Sequence, residues 1–258
     1  MDLGIAGETA LVIGGGKGIG LGIYRALAAA GVQVIITSRK AEDAERAAAD
    51  IAASCIGLPC DTSSQSSIAD LLDNLQARSA NIGIVVLNSG GPPAGLATNA
   101  NMDAYRDAFE QLFIGPVTIA MRLLASMRAR KFGRILTVGS SGMVEPIPNL
   151  AVSNAIRPTI AGWSKTLSRE VAMDGVTVNV LIPGRIDTDR VAQIDANNAK
   201  IFGLSVKDVR MRSQAQIPLG RYGMVEEFAA AAAFLASRQA SFITGTSLRV
   251  DGGQLVST

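Results

Sequence analysis

The segment NLAVSNAIRPT, residues 149–159, sets a hydroxyl, Ser153, four residues ahead of a guanidinium, Arg157. On a helix that spacing puts both side chains on one face, within reach of the same object. The residue types allow three readings: a catalytic pair, a clamp for an anion, or a solvated stripe. A serine hydroxyl is a far poorer acid than a phenol, and arginine stays protonated in proteins. Such a pair holds charge and hydrogen-bonds more readily than it trades protons at pH 7.

A second segment, GGGKGIG at Gly14–Gly20, follows the apolar run TALVI (9–13) and opens a stretch of helical period (18–30). Glycines there permit a tight turn and close backbone approach, so amides at the helix start can point at a diphosphate. A plain strand-to-helix turn uses glycines too, but the strand before and the helix after favour dinucleotide binding.

The elements that must position these groups are legible as alternating runs. Short β-branched stretches at 9–13, 32–37, 56–60, 82–88, 133–139, 176–182 and 247–250 predict seven strands. Between them, helical period covers 18–30, 41–53, 64–78, a long 102–130, 150–173 and 225–237. That alternation predicts βαβ units around a parallel sheet, in a chain of 258 residues that forms one domain, 1–258. One connection is long, about 185–218, and mixes Arg190, Lys200, Lys207, Arg210 and Arg212 with Asp187, Asp189, Asp195 and Asp208. It leaves the carboxyl end of a parallel strand, where α/β proteins bind ligands, so we expect a lid rather than a solvated excursion.

The glycine spacing Gly14-x3-Gly18-x-Gly20 resembles the TGxxxGxG signature of the short-chain dehydrogenase/reductase family, with Ile13 in place of its Thr. The resemblance covers nearly the whole chain. LNSG at 87–90 is similar to the family's NNAG, LTVGSS at 136–141 to the strand end that presents its catalytic serine, IPGRIDT at 182–188 to its PG motif, and GTSLRVDGG at 245–253 to its last strand. With IPLGRYGMVEEFAAAAAFLAS at 217–237, the chain most resembles 3-oxoacyl-(acyl-carrier-protein) reductase-like members. The resemblance implies a single-domain Rossmann-like α/β fold, a doubly wound sheet of about seven parallel strands with helices on both faces. It also implies an oxidoreductase acting on a carbonyl or alcohol, and a dimeric or tetrameric homo-oligomer.

Cofactor contacts carried over by the motifs are Gly14, Gly16, Lys17, Gly18, Ile19, Gly20, Asn88, Gly90, Pro183, Gly184, Ile186 and Thr188, with Asp61 and Thr62 near the adenine. Asp61 and Thr62 also fit a helix cap before SSQSSIADLL. A ribose 2′-phosphate calls for cations, whereas a free 2′-hydroxyl prefers an acid at the end of the second strand. Ser38 occupies the acid's place, Arg39 follows it, and Lys17 lies in the glycine turn, which favours NADP(H) over NAD.

The family's proton chemistry uses Ser, Tyr, a Lys four residues later and an Asn on the long helix. Ser140 is in register for the serine, but Ser153 stands for Tyr, Arg157 for Lys and Leu112 for Asn. Tyr24, Tyr105 and Tyr222 lie elsewhere in the chain and do not restore the acid. Arg157 retains the charge needed to hold the nicotinamide ribose or to fork onto a carboxylate, phosphate or sulfonate. Pro92 and Pro93 stiffen the loop after Asn88. Two readings stay open: a reductase in which Ser140 orients the oxygen while Ser153 or water passes the proton, and a catalytically inactive NADP-binding or assembly protein.

Composition narrows the rest. Twenty-four basic residues against 22 acidic ones give a net charge of +2, with no basic arm to suggest nucleic acid. No histidine and only Cys55 and Cys60 are present, so neither a zinc site nor a disulfide framework is expected, and both thiols are expected buried and reduced. The longest apolar run, FAAAAAFLA at 228–236, is too short to cross a bilayer, and the amino terminus does not read as a signal sequence. The expectation is a cytoplasmic protein with a small-molecule substrate, its basic lid compatible with an anionic group.

Overall fold

In the computed structural model, which describes residues 2–51 and 55–257, every inner strand divides its side chains between two cores. Along β1 (Thr9–Val12) and the residue after it, Ala10 and Val12 enter one core, Leu11 and Ile13 the other. Val34 and Ile36 against Ile35 in β2 (Gln33–Ser38) repeat the division. After β3 (Ile56–Pro59), Ile84 and Val86 against Val85 and Leu87 in β4 (Ile82–Leu87) do so again. Two-residue period with both faces apolar means a sheet covered on both sides. With β5 (Gly133–Val138), β6 (Val176–Pro183) and β7 (Ser247–Val250) the seven strands are all parallel, in the order β3-β2-β1-β4-β5-β6-β7. The winding reverses between β1 and β4, which opens a crevice at their carboxyl ends.

The covering helices are α1 (Gly18–Ala29), α2 (Ala41–Ala49), α3 (Gln65–Ala77), α4 (Met102–Phe109), α5 (Gly115–Ala129) and α6 (Ala151–Val171). They are followed by α7 (Asp189–Phe202), α8 (Val206–Ala215) and α9 (Val225–Ala236). Ile23, Tyr24 and Leu27 of α1, Ala47 and Ala48 of α2, and Phe228, Ala229 and Ala232 of α9 close the first core. Ile68, Leu71 and Leu75 of α3, Ile119, Ala120 and Leu124 of α5, and Ile160, Leu167 and Val171 of α6 close the second. Each fully buried Leu, Ile or Phe contributes about 1.5–3 kcal/mol.

Three expectations are corrected. The helix at 102–130 is broken: α4 and α5 are joined by a wide π turn, Glu110–Ile114, in which Gly115 N–H donates to the Glu110 carbonyl. Pro116, just beyond, has no N–H to return to the previous turn, so the ladder slips by one residue there. The helix expected over 41–53 ends at Ala49, and residues 52–53 lie outside the described residues. Of the two cysteines, Cys60 is buried but Cys55 only half-buried. Burial pushes the Cys60 thiol up to about 12, so it is not a nucleophile near neutrality.

Residues 102–129 together are long enough for a bilayer span and contain an 18-residue stretch apolar enough for one. Yet Ala108, Leu112, Ile119, Ala120 and Met127 are buried against the body of the protein, which is how a core helix of an α/β fold behaves. The long connection after β6 is folded as α7 and α8. It is pinned at its root, where Asp187 N–H donates to the Gly223 carbonyl (2.8 Å) and Gly223 N–H to that of Arg185 (2.9 Å).

Candidate active site

The glycine turn sits at the crevice, between β1 and α1. Gly14 and Gly18 have φ of +62° and +55°, in the left-handed region. A Cβ on Gly14 would lie 2.3 Å from the Asn88 carbonyl oxygen, and one on Gly20 would lie 2.5 Å from the Gly14 carbonyl oxygen and 2.6 Å from Asn88 Nδ2. Asn88 Nδ2 donates to the Gly14 carbonyl at 2.9 Å, so the end of β4 clamps the turn. Lys17 is the N-cap of α1, exposed, and offers no capping side chain, which leaves the first amides of the helix without a side-chain partner. Thr188, the N-cap of α7, brings its methyl within 3.5 Å of a Gly18 Cβ position, while Pro183 ends β6 and Gly184 after it packs against Asp251. The Ile186 side chain, by contrast, is 3% exposed and packs in the first core, so only its backbone faces the crevice.

Across the turn, a Cβ on Gly16 would lie 3.5 Å from Ser38 Oγ, and the exposed Arg39 follows. Asp61 accepts from Ser63 N–H (2.9 Å) and Oγ–H (2.6 Å), which with the nearby Arg39 charge holds its carboxyl below the usual range. The cap reading of Asp61 and Thr62 fails, because Ser64 caps α3 by accepting from Ser67 N–H at 3.2 Å. Thr62 instead donates its hydroxyl to the Gln111 carbonyl in the π turn (3.0 Å), so it acts as a strut and not through a free hydroxyl.

Ser140 lies two residues beyond β5 and caps the short turn Ser141–Met143 by accepting from Gly142 N–H at 3.2 Å, which occupies a lone pair while its hydroxyl hydrogen has no acceptor among the described residues. Ser153 is 8% exposed in the first turn of α6, whose N-cap is Leu150, so it is not a cap. Gly142 joins the two segments, since its Cβ position lies 2.5 Å from Asn154 Oδ1 and 3.4 Å from Ser140 Oγ. Arg157 donates through Nη1 to the carbonyls of Val138 (3.1 Å) and Gly139 (3.3 Å), and through Nη2 to that of Ser89 (3.2 Å). It therefore ties the ends of β4 and β5 together and is not a solvated stripe. Burial, and after it the Arg190 charge, push this guanidinium down to about 10, still cationic at pH 7. Pro158 follows it inside the helix. Leu112 closes an apolar seam with Ala108 and Val152. Gly90 lies beside this seam, with Gln111 Nε2 3.9 Å from its Cβ position.

The sequence reading missed two groups. Arg190, noted there only as a lid charge, donates through Nη2 to the buried Pro92 carbonyl at 3.0 Å and pins the loop after Asn88. Ser89 has a buried Oγ with no partner; its signal was a hydroxyl where NNAG has an alanine methyl. The tyrosines stay out of the site: Tyr24 is in the first core, Tyr105 packs beside Leu112, and Tyr222 donates to the buried Asp195 at 2.8 Å. Burial raises the Tyr222 phenol above its ordinary value, and Asp195 also pairs with Arg185 at 2.7 Å. Tyr222→Phe leaves one Asp195 oxygen unpartnered and is expected to cost about 1.5–3 kcal/mol in urea unfolding. A cavity of about 440 Å³ lies at the opposite, amino-terminal edge of the sheet, beside Thr9, Gln33 and Arg130.

The family profile described as Enoyl-(Acyl carrier protein) reductase matches residues 14–254. The 3-oxoacyl-(acyl-carrier-protein) reductase of Salmonella typhimurium is 34% identical over 96% of this chain and 97% of its own. The chain belongs to the short-chain dehydrogenase/reductase family. Within that family, the NADPH-dependent reductase BacG of Bacillus subtilis is 32% identical over 97% of this chain and 98% of its own. Among solved structures, the L-sorbose reductase of Gluconobacter frateurii, complexed with NADPH and L-sorbose, superposes with a TM-score of 0.94 at 26% identity, covering 100% of both chains. Short-chain dehydrogenase/reductase architecture is thus retained from the glycine turn to the last strand.

Proposed function

We propose that the protein is an NADP-dependent oxidoreductase that interconverts a carbonyl and an alcohol with an altered acid/base set. One observation carries the reading. The glycine turn clamped by Asn88, the free hydroxyl of Ser140 and the Arg157 cation meet at the carboxyl ends of β1, β4 and β5. The residues present fit the dinucleotide: left-handed glycines, uncapped amides of α1, and the cations Lys17 and Arg39 around Ser38. Relatives named for NADPH dependence support the choice of cofactor.

When bound, NADPH supplies the hydride that reduces the carbonyl carbon. Ser140 donates its hydroxyl hydrogen to the substrate oxygen and so fixes which carbonyl face is presented. Arg157, held rigid by three carbonyls, supplies positive charge that favours the developing alkoxide; its charge persists at pH 7, so it is not the acid. The proton comes from solvent, passed by water or by the Ser153 hydroxyl. The segment 185–218 acts as a lid whose closed form is latched by Asp195, Arg185 and Tyr222. The enzyme works in the cytoplasm as a homo-oligomer, for which the exposed Met121 on α5 offers apolar surface.

Fluorescence titration with NADPH and NADH, followed by NADPH oxidation over a panel of ketones, aldehydes and oxoacyl thioesters, tests the proposal. Arg39→Ala is expected to weaken NADPH binding about 10-fold and leave NADH binding unchanged. A catalytically inactive NADP-binding protein is the second reading, favoured by the apolar seam around Leu112. It predicts tight NADPH binding with no turnover on any carbonyl.

A further inference from the structure

Arg157 and Arg190 face each other across Gly91: a Cβ at that glycine would lie 3.9 Å from Arg157 Nη2 and 3.6 Å from Arg190 Nη2. Two guanidiniums this near repel, and one of them is also desolvated. Among the described residues neither has a carboxylate within ion-pair distance, because the neighbouring lid acids Asp187 and Asp195 are taken by Arg210 and Arg185. The pair is nonetheless held in place, Arg157 by Ser89, Val138 and Gly139, and Arg190 by Pro92. Gly90 and Gly91 are exposed, so the space between the cations opens onto the crevice. Pre-positioned, unneutralised cations beside Ser140 are what an anionic substrate group requires.

We propose that Arg157 and Arg190 together bind the carboxylate of a small oxo acid, seated over Gly91 while Ser140 holds its carbonyl. This rests on the reductase reading above and adds the substrate class. Three of the N–H groups of Arg157 are spent on backbone carbonyls, which leaves Nε–H and one Nη2–H for a planar acceptor. Arg190 retains all but one of its donors and rides on α7, so the anion also draws the lid onto the site.

Calorimetric titration of the NADP+-saturated protein with pyruvate and acetoacetate, each beside its methyl ester, tests the proposal without turnover. The acids are expected to bind about 10-fold more tightly than the esters. Arg190→Met, at an exposed position that does not threaten the fold, brings that ratio close to one, Arg190→Lys keeps most of it, and NADP+ affinity is unchanged in both. Equal binding of acids and esters overturns the proposal. So does displacement by inorganic phosphate with no response to carboxylates, or an Arg190→Met protein that loses NADP+ affinity while its acid-to-ester ratio stands, which gives the pair to a cofactor phosphate. If NADP+ fails to bind at all, the reductase reading falls. The cofactor-free protein still reports the acid-to-ester ratio.

Discussion

Gly20→Ala is expected to weaken NADPH binding about 10- to 100-fold while leaving the protein folded. An added Cβ there would lie 2.5 Å from the Gly14 carbonyl oxygen and 2.6 Å from Asn88 Nδ2, closer than packed atoms tolerate. Relief requires the turn or Asn88 to move, at a typical overpacking cost of about 1–3 kcal/mol. Gly20 lies inside α1 without a positive φ, so alanine suits the helix itself. The strain therefore falls on the clamp between Gly14 and Asn88, and the expected signature is a shifted NADPH fluorescence titration with a melting temperature lowered by only a few degrees. A Kd within about two-fold of the parent's would mean that the turn is not the diphosphate site.

The double variant Ser153→Tyr, Arg157→Lys is expected to raise carbonyl reduction about 100-fold, the lower end of what a positioned general acid contributes. Ser153 and Arg157 already share a face of α6, and Ser140 already presents a free hydroxyl, so the phenol would join a prepared site. A phenol beside a cation has a lowered pKa and donates only while protonated. The variant's rate should therefore fall as pH rises through that pKa, a limb the parent lacks. Losing the guanidinium frees the carbonyls of Ser89, Val138 and Gly139, so the gain is expected to come with lower thermal stability. A folded, NADPH-binding double variant without any gain would show that the departure from the family is not confined to the acid/base set.

The strand count was legible because the strand runs are rich in aliphatic and β-branched residues that alternate between two cores, whereas the sequence offered six helices and the structure has nine among the described residues, α4 and α5 from one expected helix and α7 and α8 inside the expected lid. The break at Glu110–Ile114 was not, since Leu112, Phe113 and Ile114 continue the apolar pattern; Pro116 was the available signal. The glycine turn was legible because Gly14 and Gly18 take a positive φ that favours glycine, whereas Asn88 and Ser140 were named from the motif resemblance. The strut formed by Thr62 was hidden because its partner, Gln111, lies 49 residues away. The work of Arg157 was hidden for a similar reason: backbone carbonyls accept from it, and no residue pattern announces which strand ends will converge on a side chain. Arg190 joined the site only once α7 had folded back over the loop at Pro92.

The central claim is that hydride transfer survives with Ser140 and Arg157 in place and without the family's Tyr, Lys and Asn. The most direct measurement mixes the protein with NADPH deuterated on the transferring face of the nicotinamide and a panel of oxo acids and neutral ketones, and reads the alcohols by mass spectrometry. The account predicts one deuteron on the carbinol carbon of at least one product, with oxo acids ahead of their esters. NADPH that binds tightly and is recovered unoxidised, with no deuterium in any alcohol, would contradict it.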